Sequence, residues 1–94
     1  MRCKSYRSFS NLFTRRMNVL FATNRIRTAF NIACWAYACD VQEGKLDTPL
    51  PIYRLESTVD NFGTEEESKA YHEIVQLMAD NPQYVERMNL ENTK

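Results

Sequence analysis

Apolar side chains return at helical spacing through residues 8–43, and this pattern limits the chain more than any other feature it has. Leu12, Val19, Ile26 and Ala33 recur every seven residues, and Phe30, Tyr37 and Val41 join the same face at steps of three and four. Such steps place side chains on one side of an α-helix. Met17, Phe21, Ile32, Trp35 and Cys39 fall on the other side, so the helical segment is apolar nearly all round. A helix of that kind is covered by several neighbours or shared with another subunit. A chain of 94 residues has few neighbours to supply. The expectation is therefore a homo-oligomer, or a partner that covers one face.

The boundaries of the elements follow from capping chemistry. Residues 1–7 read as an exposed basic arm. Ser8 or Ser10 is expected to cap a helix from Phe9 to about Ala22, since a serine oxygen accepts a first-turn amide. Thr23 and Asn24 compete for backbone hydrogen bonds and suit a cap or a bend. A second helix is predicted from Arg25 to Glu43, with Gly44 where a left-handed residue ends a helix. Residues 44–63 read as a connector, because Pro49 and Pro51 oppose a helix and push the residue before each toward extended geometry. Within it, 52–59 has strand-like composition. It is read as a strand pairing with its own copy in a dimer, or as an extended connector across the helices. Asp60-Asn61-Phe62-Gly63 is a turn cluster.

Residues 64–90 carry the plainest helical signals. Thr64 with Glu67 forms a capping box, and Glu65, Glu66 and Glu67 put negative charge on the first turn, where the helix dipole favours it. Tyr71, Ile74, Val75 and Met78 make an apolar face. Asn81-Pro82 is the expected cap and first residue of a last helix, with Tyr84, Val85 and Met88 as its apolar side, ending near Leu90. The tail 91–94 is expected to fray. The predicted fold is one small all-α domain: a bent N-terminal helical hairpin, an extended proline-containing connector and a C-terminal helix pair.

The net charge of zero hides a strong polarity. Residues 1–39 hold seven basic groups and no acid, whereas residues 40–94 hold twelve acids and five bases. The halves are thus +7 and −7 (7 − 0 and 5 − 12). Either they attract one another, within a chain or across a dimer, or each meets a charged partner.

The chemical inventory is thin. Cys3, Cys34 and Cys39 are an odd number, which fits a disulfide framework poorly, and a reducing intracellular setting is the simplest inference. With one histidine, these cysteines supply too few ligands at the wrong spacing for zinc. Two glycines cannot build a phosphate loop. His72, the only histidine, reads as a helix-surface residue rather than the base of a Cys-His pair. No catalytic residue, cofactor or metal is expected, and the chain is read as a non-enzyme. The richest apolar run, 32–39, is too short to cross a membrane. The expected location is cytoplasmic. An arginine-rich, acid-free start shared with mitochondrial transit peptides makes import the alternative.

Two functions remain. One is a small non-enzymatic interaction protein that binds and modulates a larger protein, as an accessory factor or inhibitor, with Trp35 as its anchor. The competing role for Trp35 is to close the protein's own core. The other function is nucleic-acid binding through Arg15, Arg16, Arg25 and Arg27. On one continuous helix those arginines divide between opposite sides, which weakens a single phosphate-binding stripe.

Overall fold

Ser5, rather than Ser8 or Ser10, starts the first helix. Its backbone is extended and its hydroxyl accepts the Ser8 amide at 3.1 Å. The computed structural model describes residues 1–92, and the elements among them are all helical. They are α1 (Tyr6–Leu20), α2 (Asn24–Gln42), a 3-10 turn (Pro51–Leu55) that runs into α3 (Glu56–Phe62), α4 (Glu65–Asp80) and α5 (Pro82–Asn92). The all-α class is as expected. Of the tail expected to fray, Glu91 and Asn92 are helical, and Thr93 and Lys94 lie outside the described residues.

The N-terminal residues are not a free arm. Asn81 is fully buried and its amide fastens them: the oxygen accepts the Cys3 amide at 3.0 Å, and the nitrogen donates to the Met1 carbonyl at 3.1 Å and the Leu77 carbonyl at 2.8 Å. The terminal ammonium pairs with Asp80, and the Tyr84 hydroxyl donates to the Lys4 carbonyl. The side chain of Asn81 is thus spent on the N-terminus and the last turn of α4. Its backbone carbonyl begins α5, accepting the Tyr84 and Val85 amides. Arg2 and Lys4 still point to solvent. Behind them, Phe9 sits between the rings of Tyr6, Phe13 and Tyr84 at 5.6–6.3 Å.

The hairpin bends at Phe21–Thr23, and the bend restarts the helical register. In α1 the inward row is Phe9, Phe13, Met17 and Leu20, while Val19, expected inside, is exposed. The seven-residue rule holds along one helix axis and cannot carry through a break. Past the bend the expected face of α2 holds. Ile26 and Ala33 are buried and Phe30 and Tyr37 half-buried, but Val41 is exposed near the helix end. Gly44 ends α2 at φ +80°. The Gly44 amide donates to the Val41 carbonyl and the Lys45 amide to the Asp40 carbonyl, the paired bonds of a Schellman ending.

Residues 52–59 are neither strand nor extended. Pro51 is the first residue of the 3-10 turn, where a missing N–H is harmless and the fixed φ suits a helix start. Ile52, Leu55 and Val59 are all buried, and their steps of three and four are helical. Their β-branched content does not make a strand, because β preference mostly records packing context.

α1 lies along α4, whereas α2 lies against the 3-10 turn and α3. A shared core of Leu20, Ile26, Leu55, Val59, Tyr71 and Ile74 joins the two groups. The result is a plate of 36 × 33 × 19 Å. The arms of the hairpin pack on different elements, and a cleft opens between them.

Glu67 ties the groups together. The capping box forms as expected: the Glu67 amide donates to the Thr64 hydroxyl at 3.1 Å, and the Thr64 amide to the Glu67 carboxylate at 2.9 Å. The carboxylate is only 2% exposed, and its other oxygen accepts the Thr23 hydroxyl at 3.0 Å. Thr23 is the residue from which α2 departs. Burial pushes this carboxyl up, but the Thr64 and Thr23 hydrogen bonds outweigh burial and hold it below its ordinary value of 4.5.

Glu67→Ala is expected to lower stability by about 1–3 kcal/mol in urea unfolding, since it removes both the capping box and the Thr23 hydrogen bond. A depressed carboxyl stabilises above its ordinary value and ceases to do so as pH falls through the folded-state value. Glu67→Gln should therefore show a flatter decline of stability with acidification than the wild type.

Candidate functional site

α2 presents the most unusual surface of the molecule. Its buried row through Ile26 and Ala33 faces the 3-10 turn and α3. Trp35 lies nine residues after Ile26, about half a turn round at about 100° per residue. Its side chain is accordingly 76% exposed, and Ile32, one turn earlier, is 65% exposed. Trp35 does not close the core. The helix that looked apolar all round has one apolar side covered and the other bare. Leu46, in the loop after α2, is also bare at 95%.

The four arginines are not gathered into one patch. Arg16 turns inward to α4, its Nε 2.5 Å from the Glu73 carboxylate. The guanidinium of Arg25 lies 5.3 Å over the ring of Phe62. Arg15 and Arg27 are exposed on α1 and α2. Arg15, Arg25 and Arg27 make no ion pair within 4.0 Å among the described residues. The two charged halves meet where α1 packs on α4, through Arg16–Glu73 and the N-terminus–Asp80 pair. The exposed guanidinium groups of α2 stay outside that contact.

The loop after α2 is fixed by Asp40, which accepts from Arg54 at 2.5 Å and Thr48 at 2.9 Å. These two hydrogen bonds, with the Lys45 charge, hold its carboxyl below the ordinary 3.8 against the opposing effect of burial.

The cleft between the hairpin arms is a second feature, and one the sequence did not announce. Its volume is about 340 Å³, and Phe13, Met17, Phe30, Tyr37, Ile52 and Met88 line it with Cys34. It arises where α1 and α2 diverge toward different supports. No local spacing encodes that divergence.

The remaining chemistry is sparse. All three cysteines are free. His72 is exposed on α4 with its ring edge against Tyr71. Among the described residues no three His, Cys, Asp or Glu side chains come together as a metal site, and no helix is long and apolar enough to cross a membrane. Comparison with known proteins finds no matching family, no similar characterised protein and no similar solved structure.

Burial in the cleft raises the Cys34 thiol above its ordinary 9.0, whereas Cys39 is exposed. Because the thiolate is the reacting form, limited iodoacetamide at mildly alkaline pH should label Cys39 well before Cys34, as peptide mass mapping would register.

Proposed function

We propose that this protein is a small non-enzymatic interaction protein that binds and modulates a larger protein, as an accessory factor or inhibitor, and that Trp35 is its anchor. The observation that carries this reading is the 76% exposure of the chain's only tryptophan, in the middle of α2. A large aromatic surface left in water stands to be buried on binding, and Trp and Arg dominate the energetics of protein interfaces. Arg27, exposed about two turns earlier on α2, puts a positive charge on the same helix. The partner this face fits has an apolar pocket with an acidic rim, since charge complementarity sets orientation and association rate.

Nucleic-acid binding through Arg15, Arg16, Arg25 and Arg27 has less support. Arg16 is paired with Glu73 and Arg25 is stacked on Phe62, which leaves Arg15 and Arg27 on separate helices.

The test uses a tagged chain as bait in its native cell, with Trp35→Ala and Arg27→Glu beside it. A stoichiometric partner should be retained by the wild type at moderate salt and lost by Trp35→Ala. That variant should keep its stability to within about 0.5 kcal/mol, because the side chain touches little of the core. The indole fluorescence should shift to shorter wavelength when the purified partner is added. Equal capture by Trp35→Ala would remove Trp35 as the anchor. Retardation of DNA or RNA in a gel, weakening steeply as salt rises, would favour the other reading.

A further inference from the structure

Arg25, Ala29, Ile32, Ala36, Cys39 and Glu43 follow one another along α2 at steps of four, three, four, three and four. Alternating steps of this kind make the seam of paired helices. This row has a further property: its spacing reads the same from either end about position 34. In an antiparallel pair of identical helices centred there, Ile32 of each copy meets the partner's Ala36. Ala29 meets the partner's Cys39, and Arg25 meets the partner's Glu43. A contact in which the same patch serves both copies is what a two-fold dimer requires.

The surface along the row is shaped to receive a helix. A shallow groove of about 360 Å³ runs between α2 and the 3-10 turn with α3; its walls include Ala29, Ala33 and Ala36 on one side and Leu55 and Thr58 on the other. Small residues let a second helix approach closely. Ile32, which stands at the groove and is 65% exposed, is the side chain left to fill its copy.

Charge favours the antiparallel sense. Arg25 is at the basic end of α2 and Glu43 at its acidic end. A parallel pair would set Arg25 against Arg25 and align the helix dipoles; an antiparallel pair opposes both. Glu43 now holds the exposed Lys45 at 3.1 Å and Arg25 lies over the exposed Phe62 ring at 5.3 Å, surface contacts that cost little to exchange.

We propose that two copies of this chain pack α2 against α2 in antiparallel sense, with Ile32 of each seated in the partner's alanine groove and Arg25 of each facing the partner's Glu43. Trp35 lies about 80° round the helix from the middle of this seam, so the dimer leaves one side of the indole open. The inference goes beyond the partner-binding reading and concerns the purified chain alone. One helix per subunit buries less than the about 800 Å² per partner of a standard interface, so the dimer forms reversibly with concentration.

Sedimentation equilibrium of the purified chain over a range of concentrations is the test, with circular dichroism to verify that each variant keeps its helices. The wild type should move between one and two chain masses. Ile32→Asp, at an exposed position, should raise the dissociation constant by at least about tenfold. Arg25→Glu and Glu43→Arg should each weaken the dimer several-fold, and the two together should restore it. A wild type that stays monomeric at every concentration overturns the dimer. A double reversal no tighter than either single change overturns the antiparallel register. Neither result depends on whether a larger partner is captured.

Discussion

A carboxylate buried at the junction of three helices holds this molecule in shape. Glu67 caps α4 through Thr64 and receives the hydroxyl of Thr23, where α2 begins. Burying a charge is costly unless hydrogen bonds replace its water. Here they do, and the depressed carboxyl records it. The consequence is geometric. With Thr23 held to the start of α4, α1 runs back along α4 and α2 leaves across the 3-10 turn and α3. The bend lies at that anchoring point, and the core of Leu20, Ile26, Leu55 and Ile74 packs the elements that part there.

The second organising fact is the separation of charge. Only part of it is used inside the molecule. Arg16 reaches Glu73, and the terminal ammonium reaches Asp80. Arg25 and Arg27 remain on α2, beside the bare face that carries Ile32 and Trp35. A chain that keeps a tryptophan in water on its longest helix, near cations that make no ion pair within 4.0 Å among the described residues, has surface to spare for binding. That supports a protein acting through contact rather than chemistry.

The ease of reading each element tracked how local its cause was. The capping box at Thr64 and the row from Tyr71 to Met78 were legible, since both depend on residues within one or two turns. So was the left-handed ending at Gly44. The register of α1 was not, because the break at Thr23 changes the helix axis and a spacing rule ends where the axis does. Residues 52–59 are ambiguous in sequence because their β-branched side chains suit any half-buried surface, while Ile52, Leu55 and Val59 carry a helical spacing within them. Ser5 lies in a basic stretch with no apolar core behind it, so nothing local marks it as a cap. What makes the first residues part of the domain is Asn81, eighty residues away. Whether Trp35 closes the core or stands outside depends on which side of α2 faces inward, and no spacing within the helix decides that. The inward turn of Arg16 depends on Glu73 on another helix.

By itself, then, the sequence determined that this chain is helical, where α2 and α4 end or begin, and that its charge is divided between two halves. Those properties come from hydrogen bonds and side-chain spacings within a few residues. The tertiary structure decided which face of each helix meets water, that the N-terminus is docked, that a cleft opens between the hairpin arms, and that Trp35 stands outside. Each of these depends on the direction in which one helix leaves another. That direction depends on contacts between residues far apart in the chain, among them the part-buried Thr23–Glu67 hydrogen bond across 44 positions, a distance over which no local pattern operates.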